Sequence, residues 1–341
     1  MSSFFSGKVV LVTGGCGSIG SELVRQLISL NVLKVRVFDH DENALFNMQR
    51  HLEQFKNVRF LLGDIRDKER IKLAMEGVDI VFHAAALKHV PSCEYNPFEA
   101  IKTNVLGTQN MIESALESRV GRVITISTDK AINPANVMGA TKLLAERLTS
   151  STFFYKGQKK TIFSSVRFGN VMNSRGSVIP VFREQIKGKE ITVTEPDMTR
   201  FVMSIGQAVS LVLKASEIMQ GGETFILKMP VLRLGDLADA MIEEIAPSYH
   251  INPSEVKVRI IGARAGEKMH ECLMTEEEAK NALETDDMLI LIPQIFIPNV
   301  TVKGFSYRRA KPTSMHSYSS GDARLLSKDE IKKIIASECK D

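Results

Sequence analysis

Five short runs rich in β-branched residues, KVVLVTG, KVRVFD, VRFLLGD, VDIVFHAAA and RVITIST, recur between residues 8 and 128. Each is almost continuously apolar, as a strand is when both faces of a parallel sheet are covered. Helical patterns separate them. In SELVRQLISL, Leu23, Leu27 and Leu30 share one face, with Val24 and Ile28 beside them. Steady alternation of strand and helix narrows the choice of fold. Parallel neighbours need crossover connections, crossovers are right-handed, and the outcome is a doubly wound sheet with helices on both faces.

The order loosens after Lys160. TIFSSVRFGNV and ETFILKM read as further strands, and IGQAVSLVLKASEIM and LGDLADAMIEEI as helices. SKDEIKKIIAS reads as a last helix that opens on Ser327 and Glu330 at capping-box spacing. The expected class is α/β. A Rossmann-like doubly wound parallel sheet occupies residues 1–170. A smaller, discontinuous α/β lobe for substrate occupies 171–341, with some strands returning to the first sheet. The polar, aperiodic stretch KGFSYRRAKPTSMHSYSSGD, residues 303–322, reads as a mobile flap or latch that can serve as an oligomer contact, or as a flexible basic tail.

A chain of 341 residues, 44% hydrophobic and 25% charged, is long enough for two cores. Its net charge of +4 is too mild for a protein that coats nucleic acid or another polyanion. Cys16, Cys93, Cys272 and Cys339 have neither CxxC spacing nor paired histidines nearby, so no disulfide framework and no metal site is expected. The start MSSFFSGKVVLVTGG lacks the order of a signal peptide. The apolar run MLILIPQIFI is broken by Pro293 and Gln294 and is too short to span a bilayer. These features point to a reducing, cytoplasmic setting.

VLVTGGCGSIGSELV holds Gly14, Gly17 and Gly20 between a strand and a helix. Glycine suits a backbone that turns tightly and approaches a pyrophosphate, and free N–H groups at the helix start, around Ser18 and Ile19, attract the anion. Asp39 ends the second strand about 20 residues on, followed by His40; an acid there binds ribose hydroxyls and repels a 2′-phosphate, which favours NAD over NADP. Asp64 and Ile65 are placed for the adenine edge. Ala84, Ala85 and Ala86 leave room for a cofactor across the strand tips, and His83 reads as an ordinary polar residue.

Together these pieces resemble the extended short-chain dehydrogenase/reductase superfamily. Five motifs narrow the likeness: AAALKHVPSCEYNPFEAIKTNVLGT, STDKAINPANVMGATK, RFGNVMNSRGSVIPVF, PDMTRFVMS and GARAGEKMHE. They look like those of the nucleotide-sugar 4,6-dehydratases of bacterial surface-glycan synthesis, whose usual substrate is UDP-N-acetylglucosamine. The likeness runs over nearly the whole chain. It is to the short soluble members, not to those with membrane helices ahead of this domain. A homo-oligomer is the expected assembly.

The resemblance implies hydride transfer from sugar C4 to NAD, loss of the C5 proton and the C6 hydroxyl, and hydride return to C6. It implies that Asp129 protonates the leaving hydroxyl and Lys130 takes the C5 proton. Burial raises an acid's pKa and lowers an amine's, which suits both tasks, while their mutual attraction opposes it. The family's tyrosine position, four residues before Lys142, is Met138. A thioether cannot accept the C4 hydroxyl proton. That proton must leave through water relayed by Thr128, or directly to ionised Asp129. Lys142, one helical turn on, can hold the nicotinamide ribose and lower the pKa of a nearby acceptor. Met138 reads as packing against sugar or nicotinamide.

For the nucleotide, the resemblance implies Arg200 and Arg264 at the diphosphate, because guanidinium forks match phosphate oxygens. It implies Glu267 at the ribose hydroxyls, Asn170 at a phosphate, and Lys88 and Arg175 beside the sugar. Two other readings stay open. A UDP-sugar 4-epimerase needs no elimination pair such as Asp129 and Lys130. A non-catalytic NAD-binding scaffold fits Met138 but need not keep the candidate substrate ligands.

Overall fold

A computed structural model of the chain describes residues 2–293 and 304–338; Gln294 and Cys339 lie outside them. The alternating runs form β1 (Val9–Thr13), β2 (Lys34–Asp39), β3 (Val58–Leu62), β4 (Ile80–His83), β5 (Arg122–Thr128) and β6 (Ile162–Phe168). The second half adds β7 (Thr224–Leu227), β8 (Ala282–Glu284), β9 (Met288–Leu291) and β10 (Lys311–Pro312) to the same sheet. The order is β10-β8-β9-β7-β6-β5-β4-β1-β2-β3. β1 to β7 are parallel, and β8, β9 and β10 close the edge antiparallel. This is a Rossmann-like doubly wound sheet. Strand order reverses between β1 and β4, and a crevice opens there beyond the strands' C-terminal ends, where such sheets bind ligands.

The main helices are α1 (Ser18–Ser29), α2 (Glu42–His51), α3 (Lys68–Met75), α4 (Gly107–Glu117), α5 (Val137–Tyr155), α6 (Val178–Lys187), α7 (Ile205–Ile218), α8 (Leu234–Ile245) and α9 (Lys328–Glu338). α1 buries Leu23, Val24 and Leu27, the stripe its sequence shows, and packs beside α7. One core holds Val10, Leu23, Val209 and Phe225; another, built around Leu11 and Phe38, holds Ile71, Met75 and Ile112 from α3 and α4. A separate core of Ile179, Phe182, Leu237, Met241, Ile331 and Ile335 gathers α6, α8 and α9 into the second lobe. α9 opens as its sequence indicates: Ser327 N–H donates to Glu330 and Glu330 N–H to Ser327 Oγ.

A three-stranded sheet links the Phe225 core to that of the second lobe, with Thr199–Met203 between Val231–Arg233 and Asn170–Val171. The described part of the 303–322 stretch is a latch, not a free tail. Tyr307 donates to Glu223 Oε1 at 2.5 Å, Tyr318 hydroxyl bonds both backbone groups of Met229, and β10 pairs with β8.

Candidate active site

The glycine turn closes directly onto β4. Gly14 has φ +63°, and a Cβ there would lie 2.7 Å from the Ala85 backbone; one on Gly20 would lie 2.1 Å from Gly14 O. A side chain on Gly14 would force the turn away from the residues that follow β4, and one on Gly20 would force α1 away from the turn itself. The resulting crevice, about 510 Å³, is lined by Gly14, Gly17, Asp39, His40, Asp64, Ile65 and Ala84, Ala85 and Ala86. Asp39 is buried, and its carboxylate accepts from Cys16 N–H at 2.9 Å and Asp41 N–H at 3.1 Å. It holds the turn while facing the crevice. Asp64 is clamped by Arg66, whose Nη2 donates to Oδ2 at 2.6 Å; Arg66, which the sequence reading did not single out, also lines the wall. A glycine turn at a helix start, small residues just after β4 and an acid at the end of β2 fit a dinucleotide.

Ser18 and Ile19 stand behind this wall. Ser18 Oγ accepts from Arg175 N–H at 3.0 Å, and Ile19 packs on the core. Lys88 and Arg175, expected beside the sugar, lie together at the glycine turn. Arg175 lines the dinucleotide crevice and donates to Cys16 O at 2.6 Å, and Lys88 donates to Arg175 O at 2.7 Å. The loop after Asn170 folds back over the glycine turn, a long-range contact that local sequence does not reveal.

At the end of β5, Asp129 is 0% exposed. Its Oδ1 accepts from Thr128 Oγ1 at 2.8 Å and from Lys130 Nζ at 3.0 Å, while its Oδ2 is buried without a partner. Lys130 also lies 3.5 Å from Glu271, which the sequence reading missed. Burial by itself lowers the Lys130 pKa, but Asp129 and Glu271 outweigh burial and Arg200, so the ammonium is held above the ordinary lysine range. Of the two opposing effects expected for this pair, attraction prevails at Lys130.

Met138 opens α5 just behind. It is 3% exposed and packs with Cys93, Ala100, Val90 and Val137. It fills a small core, and its thioether offers no acceptor for a proton. Lys142, one turn on, donates to Ile126 O at 2.5 Å; burial pushes it down to about 8 against the pull of Glu146. His83 is buried between Thr13 and Thr108, a structural role.

A second cavity, about 260 Å³, lies in the other lobe. The central strand brings Arg200 beside Asn170, and the loop after Ile260 adds Arg264 and Glu267. Arg264 N–H donates to Glu267 Oε2 at 3.1 Å, and Arg200 reaches the Thr199 and Met269 carbonyls at 2.8 and 3.2 Å. Apolar walls of Val171, Phe182 and Leu237 complete it. Four of the six substrate candidates thus meet in one cavity.

Residues 10–293 match the family described as polysaccharide biosynthesis protein. The chain belongs to this family, among the extended short-chain dehydrogenase/reductase enzymes. It is 54% identical to an uncharacterized membrane protein of Methanocaldococcus jannaschii, over 98% of this chain and 97% of that one. Among the described residues, no helix is long and apolar enough to cross a membrane. It is 40% identical to a UDP-glucose 4-epimerase of Rickettsia canadensis, over 97% and 96% of the two chains. It is 38% identical to a UDP-N-acetylglucosamine 4,6-dehydratase (inverting) of Campylobacter jejuni, over 97% and 98%. The X-ray structure of Pen from Bacillus thuringiensis superposes with TM-score 0.91 at 46% identity, covering 98% and 99%. These relatives carry more than one activity, so the choice between them rests on the residues.

Proposed function

We propose that the protein is a UDP-N-acetylglucosamine 4,6-dehydratase that uses NAD. The observation that carries this reading is the Asp129–Lys130 pair at the end of β5, with Asp129 fully buried and its Oδ2 unpartnered. A 4-epimerase must only take and return the C4 hydroxyl proton and has no use for a second acid/base group. Elimination across C5 and C6 needs one.

A nicotinamide held in the β1–β4 crevice supplies a hydride acceptor at C4 and a hydride donor at C6. Asp39 favours the form without a 2′-phosphate. Arg200, Arg264, Asn170 and Glu267 hold the UDP moiety in the second cavity. Asp129, ionised at the start, accepts the C4 hydroxyl proton in place of the missing phenol. It is thereby protonated for the next step. Lys130, once its own proton has passed to solvent, takes the C5 proton, and Asp129 returns its own to the departing C6 hydroxyl. Lys142 keeps its charge near the crevice, and the work at the sugar falls to Asp129 and Lys130.

The test is incubation with UDP-N-acetylglucosamine in deuterated water. The dehydratase gives a product one water lighter with solvent deuterium on the ring. A product of unchanged mass and galacto configuration transfers the protein to the epimerases.

A further inference from the structure

Glu271, at the end of GARAGEKMHE, is 3% exposed. Its Oε1 stands 3.5 Å from Lys130 Nζ, which holds Asp129 Oδ1 at 3.0 Å on the other side. Asp129 Oδ2 and Glu271 Oε2 are both buried without a partner. One ammonium therefore serves two carboxylates. Buried carboxylate oxygens left open are costly and rare in a finished fold, so the arrangement calls for a function. Its placement is built in. Glu271 N–H donates to Ser320 Oγ at 2.9 Å, Ser320 N–H donates back to Glu271 O at 2.8 Å, and Ser320 Oγ meets Thr199 Oγ1 at 2.7 Å. Cys272 then pairs with Ser319 in a short antiparallel ladder. The C-terminal latch thus fixes the backbone from which the Glu271 carboxylate reaches Lys130.

We infer that Glu271 is a positioning residue for Lys130, whose fixed carboxylate orients the amine and stabilises the charge that forms on it during elimination. The inference rests on the dehydratase reading. In that step the C5–H bond breaks and its proton goes to the Lys130 lone pair. The electron pair forms the C5–C6 double bond, the C6–O bond breaks, and the hydroxyl leaves as water with the Asp129 proton. Lys130 passes from neutral to +1 and Asp129 from neutral to −1, while Glu271 stays −1 throughout. Glu271 therefore interacts more favourably with the state after proton transfer than with the state before it, the condition for lowering a barrier. Its presence also makes Lys130 a stronger base. The other charges facing Lys130 are Asp129 and, opposing both carboxylates, Arg200.

The test is Glu271→Gln, which keeps shape and removes charge. Dehydration of UDP-N-acetylglucosamine and deuterium incorporation are followed against pH. The limiting kcat falls about ten- to a hundredfold with KM held within about twofold, and the acid limb moves down by about one pH unit, because Lys130 loses its proton more readily. Glu271→Asp keeps the limb near its wild-type position. A slower enzyme with an unmoved limb reduces Glu271 to a structural residue and overturns the inference. If Glu271→Gln does not fold, Ser320→Ala loosens the Glu271 backbone that carries this carboxylate and must move the limb in the same direction by less; an unmoved limb there is equally fatal. Wild-type protein that releases no water removes the dehydratase reading and this inference with it. Wild-type dehydration with unmoved limbs in the variants removes the inference alone.

Discussion

With Met138 in place of a phenol, the proposed acid/base work falls to a different element. Met138 is sealed among Cys93 and Ala100, while Asp129, on the strand end before it, keeps one carboxylate oxygen open. If ionised Asp129 takes the C4 proton, Asp129→Asn blocks the first hydride transfer, and a single turnover shows no NADH absorbance. Lys130→Met leaves that absorbance and stops the loss of water. NADH formed by the Asn variant would return the C4 proton to a water relay through Thr128. Thr128, Asp129 and Lys130 were legible because their chemistry lies in three successive letters. Glu271 was not. It stands at the end of a quoted motif, and only the fold carries it to Lys130. The same holds for Arg175: its charge is plain in the sequence, and the crevice wall it joins is not.

At the scale of elements, the strand–glycine–helix unit was legible because every contact that demands glycine at Gly20 comes from its own turn. The π-helical turn at Ile101–Leu106 carries no such local mark. It presents Asn104, whose side chain bonds both backbone groups of Leu87 at 2.8 and 3.0 Å and so steadies the β4 loop. His83 ties the same elements together, with Nδ1 on Thr13 at the end of β1 and Nε2 on Thr108 in α4. Burial, with Lys142 nearby, pushes His83 down to about 3. The unfolded chain takes a proton on this histidine near pH 6.5 and the folded chain does not. Stability therefore falls as pH drops below about 6.5, by about 1.4 kcal/mol per unit until pH approaches 3. Urea unfolding between pH 7 and 5 reads this slope ahead of the carboxylates. His83→Gln lowers stability at pH 7 and flattens the slope. A slope that survives the substitution assigns the acid sensitivity elsewhere.

For the whole molecule, alternation announced the parallel sheet, and strands returning to it from the second half were expected without their partners. MLIL was visible only as an apolar run, and a period of two names no partner; in the fold it becomes β9, antiparallel to β7. The joint between the parallel sheet and these returning segments is Arg167, in the middle of SSVRFGN on β6 and 2% exposed. It donates to Glu146 of α5 at 2.7 and 3.1 Å, to Glu278 at 3.0 and 3.1 Å, and to Leu273 O at 2.8 Å. Burial alone would raise the Glu278 carboxyl, but Arg167 outweighs it and holds it below the usual range. Arg167→Met leaves two inward carboxylates without their cation, a loss of about 3–5 kcal/mol in urea unfolding at neutral pH. The sign of the pH effect follows. Wild type gives up its Glu278 contribution only as pH falls below the ordinary glutamate value of 4.5, whereas the variant sheds its repulsion earlier, because an unpaired buried carboxyl protonates at higher pH. The gap between the two proteins must therefore narrow from pH 7 to pH 5. A gap of equal size at both values would mean that Arg167 holds the halves together by packing and hydrogen bonds, with its charge idle.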